Sequence, residues 1–301
     1  MSLIRALPLA RVRAALGGQR RIAFVLSGGG SLGAVQVGML RALVERGILP
    51  DVVVGCSVGA INGAAFAAEP GIRGLNRLDR IWGMLSDGDP DIMPSGRLPL
   101  AVQMARRGSS VFDPEILEQL LVDELGAHHF DELQLPFACV ATSVRDADER
   151  WFEDGPLVPA LMASAALPAV FPPVEIGGEL FIDGGVVREA PVVQAADMGA
   201  DVIYLLHVGH LTSVRPPRFE RPIDVALHAY WMARLRRFEE DLEELGQRCT
   251  LIRLPSGSAP GVRFDDFSQG RALADRAHVA TRHFLDTGET LEPVDIGTLE
   301  E

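Results

Sequence analysis

Short apolar runs and helical patterns alternate along the first part of the chain. The run IAFVL at 22–26 precedes a glycine cluster, which is typical of a strand buried on both faces. Segment 33–46 has apolar residues at helical spacing and ends before Gly47. A second apolar run at 52–54 leads into small residues at 57–68 that favour a helix. This alternation predicts an α/β fold, a three-layer α/β/α sandwich with a mostly parallel central sheet.

The rest of the chain contains weaker patterns. Further apolar runs at 137–142, 180–182 and 202–206 are strand candidates, and the proline-containing stretch 86–111 favours a long loop or a mobile cap. Segment 222–245 is a long helix candidate, either a membrane-surface helix or a helix with a solvated charged face, and we favour the second interpretation.

The charge and the cysteines narrow the class of protein. A formal net charge of -13 over 301 residues disfavours nucleic-acid binding through phosphate contacts. Cys56, Cys139 and Cys249 form neither a disulfide framework nor a CxxC metal pair. Three free thiols and no continuous membrane span predict a cytoplasmic location, with peripheral membrane contact left open.

The first candidate for chemistry is the sequence Gly55-Cys56-Ser57-Val58-Gly59. A serine between two glycines, after an apolar strand and before a helix, is typical of a nucleophile elbow. Ser57 is therefore the candidate nucleophile, with Gly55 and Gly59 allowing the tight turn and the N–H of Val58 facing an oxyanion. The alternative is a strand-to-helix turn without chemistry.

The second candidate is the glycine-rich run from Gly28 to Gly33. Its N–H groups, at Gly28, Gly29 and Gly30, can converge on an oxyanion, but GxGxxG is also the dinucleotide-binding pattern. A dinucleotide site expects an acidic residue at the end of the second strand, whereas Asp51 precedes that strand. We favour the oxyanion hole and keep nucleotide binding as the alternative.

The third candidate is Asp183-Gly184-Gly185, which directly follows an apolar run. If the strands are parallel, Asp183 and Ser57 lie at the same edge of the sheet, where the carboxylate can accept the hydroxyl proton. The sequence Asp-Gly-Gly by itself more often marks only a turn.

Together these three pieces resemble the patatin-like phospholipase family, and the segment ASAALPAVFPPV at 163–174 strengthens the resemblance. It implies a bacterial lipid acyl hydrolase with a Ser57–Asp183 dyad, a glycine-rich oxyanion hole, no catalytic histidine and no metal or cofactor. The chain departs from the family at Leu32, where Arg or Lys is common, and near Glu189, where Asn is common.

The resemblance covers about residues 20–210, which we expect to form the catalytic core. We expect residues 1–19 to form an N-terminal lead-in segment, although its arginines are also typical of a targeting peptide. We expect residues 211–301 to form a helical extension with a frayed acidic tail. The expected partner is a lipid ester substrate, and the sequence does not indicate an oligomeric state. A catalytically silent lipid-binding module remains an alternative, and so does a Ser-Asp-His triad through His207, which we disfavour.

Overall fold

The computed structural model describes residues 20–86, 114–168, 170–209, 222–257 and 266–290. The predicted lead-in segment and the end of the acidic tail lie outside these residues, and so does the predicted loop or cap at 86–111 except for Ser86, which is helical.

Eight strands form in the described part of the chain, and most begin and end within two residues of the predicted apolar runs. They are β1 (Ile22–Leu26), β2 (Val52–Cys56), β3 (Phe137–Ser143), β4 (Glu149–Phe152), β5 (Val174–Ile176), β6 (Glu179–Asp183), β7 (Val202–Leu206) and β8 (Thr250–Arg253).

Eight α-helices accompany these strands in the described residues. They are α1 (Ala34–Glu45), α2 (Val58–Ala68), α3 (Ile72–Ser86), α4 (Pro114–Leu125), α5 (Leu157–Ser164), α6 (Val192–Asp197), α7 (Pro222–Leu245) and α8 (Gly270–Thr287).

The strands form one mixed sheet in the order β5-β6-β3-β2-β1-β7-β8, with β4 also paired to β3. The central pairings β2–β3, β1–β2, β1–β7 and β7–β8 are parallel, whereas β3–β4, β3–β6 and β5–β6 are antiparallel. The sheet thus places the ends of β1 and β2 side by side at its centre.

Strand β1 shows how the layers are built, since alternate side chains point to opposite faces of a strand. Phe24 and Leu26 pack into a core shared with α1–α5 and α8, while Ala23 and Val25 pack into a second core with α6 and α7. This arrangement confirms the three-layer α/β/α sandwich.

Two features differ from the sequence expectations. Strand β6 runs antiparallel to β3, so Asp183 does not reach the site as the end of a parallel strand. The part of the chain after residue 210 is not purely helical, because Thr250–Arg253 adds strand β8 beside β7. Such a short, half-exposed strand carries little apolar signal in the sequence.

Candidate active site

Ser57 occupies a strained turn between β2 and α2. Its backbone angles, φ 55° and ψ −128°, are unusual for a residue with a side chain and are found mainly where the surrounding structure enforces them. A Cβ at Gly55 would lie 2.5 Å from the carbonyl oxygen of Gly59, and one at Gly59 would lie 2.3 Å from that of Leu26. Both elbow glycines therefore allow α2 to begin directly against the sheet.

The register of the sheet brings Asp183 to Ser57. Cys56 is paired with Val140 on β3, and Asp183 is paired with Ala141, the next residue of β3. Asp183 therefore lies level with Ser57 on the far side of β3. The Ser57 Oγ donates a hydrogen bond to the Asp183 Oδ2 at 2.6 Å.

The carboxylate of Asp183 is held on its other side as well. Its Oδ1 accepts a hydrogen bond from the N–H of Gly185 at 2.7 Å. A Cβ at Gly184 would lie 2.2 Å from the Val140 carbonyl oxygen, so this turn can approach β3 only with glycine there. The Thr142 hydroxyl donates to the main-chain oxygen of Asp183 at 2.9 Å. These contacts fix the carboxylate without a histidine.

Burial gives Asp183 the character of a base. The side chain is 1% exposed, and burial raises the pKa of its carboxyl group, against the opposing effects of Arg234, the Ser57 hydroxyl and the Gly185 N–H. A carboxylate with a raised pKa is a better acceptor for a hydroxyl proton than a solvent-exposed one.

The glycine-rich run forms a turn at the end of β1, beside the elbow. The N–H of Gly28 donates to the Glu189 carbonyl oxygen at 3.1 Å. The prediction that this N–H faces an oxyanion is therefore wrong, because the group already has an acceptor. For the N–H groups of Gly29, Gly30 and Val58, no hydrogen-bond acceptor is found within the described ranges. These three groups remain the candidate oxyanion donors.

Buried amides brace this turn from below. Gln36 donates from Nε2 to the main-chain oxygen of Ser27 at 2.8 Å, and Asn62 donates from Nδ2 to that of Gly33 at 3.0 Å. Asn62 also bonds the Gln36 side chain and accepts from the Trp82 indole at 2.9 Å. The satisfied network holds the loop in one conformation.

Several residues at the site were not singled out by the sequence. The Ser164 hydroxyl accepts a hydrogen bond from the N–H of Ser57 at 2.9 Å, and Arg234 reaches the site from α7. The predicted solvated face of α7 is only part of that helix, because Arg234 and Asp241 are buried. The sequence signal that could have identified this face is the helical spacing of Arg234 and Asp241 with the apolar residue Phe238.

Other candidate residues lie elsewhere. His207 contacts Glu189, with 3.4 Å between its Nε2 and Oε1, and it has no hydrogen bond to Ser57 or Asp183 among the residues described. Asp51 lies at the start of β2, the opposite end of that strand from the elbow, where its carboxylate accepts from the Ile22 N–H at 2.7 Å. It is therefore not placed to bind a ribose at the glycine-rich turn.

No group of three or more histidine, cysteine or carboxylate side chains in the described ranges is arranged to hold a metal ion. None of the described helices has both the length and the apolar composition needed to cross a membrane.

The relatives that match this chain by sequence include three with the following identity and coverage. An uncharacterized NTE family protein of Mycobacterium bovis is 29% identical over 241 residues, covering 77% of this chain and 60% of the relative. Patatin-like phospholipase domain-containing protein 7 of Rattus norvegicus is 32% identical over 190 residues, which cover 62% of this chain and 14% of the relative. Lysophospholipase nte1 of Aspergillus terreus is 26% identical over 198 residues, covering 65% and 12%. The chain thus matches at most 60% of the length of these relatives.

Among solved structures, VipD from Legionella pneumophila aligns with a TM-score of 0.48 and 16% identity, covering 91% of this chain and 68% of that one. Human GIVD cytosolic phospholipase A2 aligns with a TM-score of 0.48 and 11% identity, and the alignment covers 88% of this chain and 62% of that one.

A family model described as patatin-like phospholipase matches residues 24–196, a range that includes Ser57, Asp183 and the glycine-rich turn. Because this match extends over more than half of the sequence, the chain belongs to the patatin-like phospholipase family.

Proposed function

We propose that the protein is a serine acyl hydrolase that cleaves carboxylic esters of lipids, acting as a phospholipase A, a lysophospholipase or a lipid esterase. The observation that carries the proposal is the 2.6 Å hydrogen bond from Ser57 Oγ to Asp183 Oδ2 at a strained strand-to-helix turn. A hydroxyl in contact with a buried carboxylate has the base that a serine nucleophile needs.

In the acylation step, Asp183 accepts the Ser57 proton while Oγ bonds to the ester carbonyl carbon and the carbonyl oxygen becomes an oxyanion. The tetrahedral intermediate then collapses, the ester C–O bond breaks, and the alcohol leaves with the proton from Asp183. A water molecule next transfers a proton to Asp183 and attacks the acyl carbon. Collapse releases the fatty acid, and the proton returns from Asp183 to Ser57.

The N–H groups of Gly29, Gly30 and Val58 are the proposed donors to the oxyanion. Loss of one such donor typically costs about 3 kcal/mol of transition-state stabilisation. The start of helix α2 at Val58 adds partial positive charge at the same place.

Two relatives support a lipid substrate, since their names describe a lysophospholipase and a patatin-like phospholipase domain protein. Such esters reside in membranes and micelles, so the proposal includes transient contact with a lipid surface.

A panel of p-nitrophenyl butyrate, lysophosphatidylcholine micelles and phosphatidylcholine vesicles tests the proposal. We expect Ser57→Ala and Asp183→Asn to lower kcat by roughly 10³-fold or more on every ester that the unmodified protein cleaves. Asp154→Asn, at an exposed carboxylate, is the matched control and should keep full activity.

Each alternative predicts a different result. Full activity in Asp183→Asn would exclude the dyad. Lipid binding without turnover of any ester by the unmodified protein would indicate a silent lipid-binding module. Thermal stabilisation by NAD or ATP, but not by lipids, would indicate a nucleotide site at Gly28–Gly33.

A further inference from the structure

Helix α7 lies over the turn that follows Asp183 and presents a buried stripe to it. Arg234 is 3% exposed and Asp241 is 1% exposed, with Phe238 buried between them. Two charged side chains on the buried face of a helix are costly unless they have partners.

Both charges are paired with consecutive residues of the turn. Arg188 contacts the carboxylate of Asp241, and Glu189 Oε1 lies 3.1 Å from Arg234 Nη2. The consecutive residues Arg188 and Glu189 have opposite charges, and each pairs with a residue of α7 of the opposite charge. These two ion pairs hold Arg234 next to the turn that follows Asp183.

The Arg234 guanidinium fills the space beside two glycines of the site. A Cβ at Gly28 would lie 3.0 Å from Arg234 Nη2, and one at Gly185 would lie 3.2 Å from its Cζ. Neither glycine has a positive φ, so the need for glycine here comes from the guanidinium and the neighbouring side chains. The run from Gly28 to Gly33 itself has no charged side chain.

The groups that surround Asp183 do not act on it equally. The Cys56 thiol on β2 and the Tyr230 hydroxyl on α7 both interact electrostatically with Asp183. Burial raises the pKa of both groups well above their ordinary values, so both are neutral. From the turn, the Glu189 carboxylate faces it with a negative charge. Arg234 is the positive group acting on Asp183.

Arg234 and Glu189 form an ion pair in which each charge favours the ionised form of the other. Burial works to lower the pKa of Arg234 and to raise that of Glu189. The pKa of Arg234 is nevertheless raised and that of Glu189 lowered, and in each case the charge of the partner is the largest cause that opposes burial. The His207 ring, 3.4 Å from Glu189, adds to the effect on the carboxylate. Arg234 is therefore a permanent cation whose charge opposes the effect of burial on the pKa of Asp183.

We propose that Arg234 is a positioning residue of the dyad, whose guanidinium, held by Glu189, keeps the Asp183 carboxylate ionised beside Ser57. The proposal rests on the proposed function, in which ionised Asp183 accepts the Ser57 proton.

The test is the pH dependence of two quantities in full-length protein, measured for the unmodified chain, Arg234→Met, Arg234→Lys and Glu189→Gln. One is the rate at which a fluorophosphonate labels Ser57. The other is the ¹³C NMR titration of the Asp183 carboxyl carbon, assigned by its absence in Asp183→Asn. Arg236→Met, an exposed arginine on the same helix, is the matched control.

We expect Arg234→Met to move the acid limb of labelling and the Asp183 titration upwards by about one pH unit or more, a tenfold loss of rate below that limb. Glu189→Gln removes a negative charge and should move both downwards. Arg234→Lys should restore the unmodified profile, and Arg236→Met should not change it.

A purely structural role for Arg234 would lower the rate without moving either titration, and that result would overturn the proposal. Shifts in the same direction for Arg234→Met and Glu189→Gln would also overturn it. If Arg234→Met does not fold, Arg234→Gln, which keeps N–H donors but removes the charge, takes its place and should give the same upward shift; no shift in that variant would overturn the proposal. If the unmodified protein is not labelled at all, the proposed function fails, and the NMR titration still tests Arg234.

Discussion

Ser57 and Asp183 are 126 residues apart in sequence, yet Ser57 Oγ donates to Asp183 Oδ2 at 2.6 Å. The contact depends on an antiparallel strand whose register with β3 places Asp183 level with the elbow. The same carboxylate accepts the Gly185 N–H through its other oxygen, so the turn after β6 sets the direction in which Oδ2 points.

Gly185→Ala should damage the dyad while leaving the fold in place. The new methyl group would lie 2.9 Å from Asp183 Oδ1 and 3.0 Å from the Tyr230 hydroxyl, so the turn must shift and displace the carboxylate. Displacements of about 1 Å in a catalytic group cost roughly 10²-fold in rate, and we expect a loss of that size in kcat. Steady-state kinetics on a soluble ester measure it.

Gly83→Ala is the matched control for this substitution. Gly83 lies within helix α3, and its Cβ would meet only Arg271 Nη2 at 3.6 Å, an ordinary contact. Activity should be unchanged, and stability should rise by up to about 1 kcal/mol because alanine favours a helix interior. Equal loss of kcat in both variants would contradict the role given to the Gly185 turn.

The backbone strain at Ser57 predicts a difference in stability between two variants of the proposed nucleophile. Ser57→Gly should be more stable than Ser57→Ala, because glycine adopts a positive φ freely. The strain of about 1–3 kcal/mol exceeds the 0.4–1 kcal/mol that glycine costs through the unfolded chain. Urea denaturation of the two variants should differ by about 1 kcal/mol in free energy of unfolding.

Ala147 provides a comparison away from the site, since it is exposed and has φ 54°. Ala147→Gly should also be stabilising, with full activity. Suppose that Ala147→Gly stabilises the protein but the free energy of unfolding of Ser57→Gly is no higher than that of Ser57→Ala. The turn at Ser57 would then not be strained.

Stability should also respond to the charge of Asp183. Burial raises the pKa of Asp183 in the folded protein, so its contribution to stability is present at low pH and is lost as pH rises through that pKa. Asparagine does not titrate, so the unfolding free energy of Asp183→Asn relative to the unmodified protein should increase as the pH rises from about 4, close to the ordinary pKa of an aspartate. Thermal or urea unfolding across this range measures the trend, and a decreasing difference would contradict it.

Much of this architecture is predictable from sequence because its elements are local. The run at 22–26 and the run at 202–206 are continuous apolar stretches, and both are strands with those bounds. The elbow and the glycine-rich turn are also local patterns, since each needs small residues at fixed positions next to a strand.

The position of Asp183 could be expected, but the way it reaches the site could not. The direction of β6 depends on its pairing with β3 and β5, and strand pairing is not encoded in an apolar run of four or five residues. Gly28 was predicted as an oxyanion donor, and its N–H instead bonds a carbonyl oxygen more than a hundred residues away. Only tertiary structure determines such a partner.

Arg234 shows the same limit for charged residues. In sequence it belongs to an arginine- and glutamate-rich helix that suggests a solvated surface, and its neighbour Arg236 is indeed exposed. In the fold Arg234 is buried and paired with Glu189, a position at which the sequence shows only a departure from the family.

Covalent labelling by a fluorophosphonate, mapped by mass spectrometry of the digested protein, tests the central claim most directly. The account predicts one adduct on the peptide that carries Ser57, no adduct in Ser57→Ala, and labelling slowed by roughly 10²-fold or more in Asp183→Asn. An adduct on a different serine, or an unchanged labelling rate in Asp183→Asn, would contradict it.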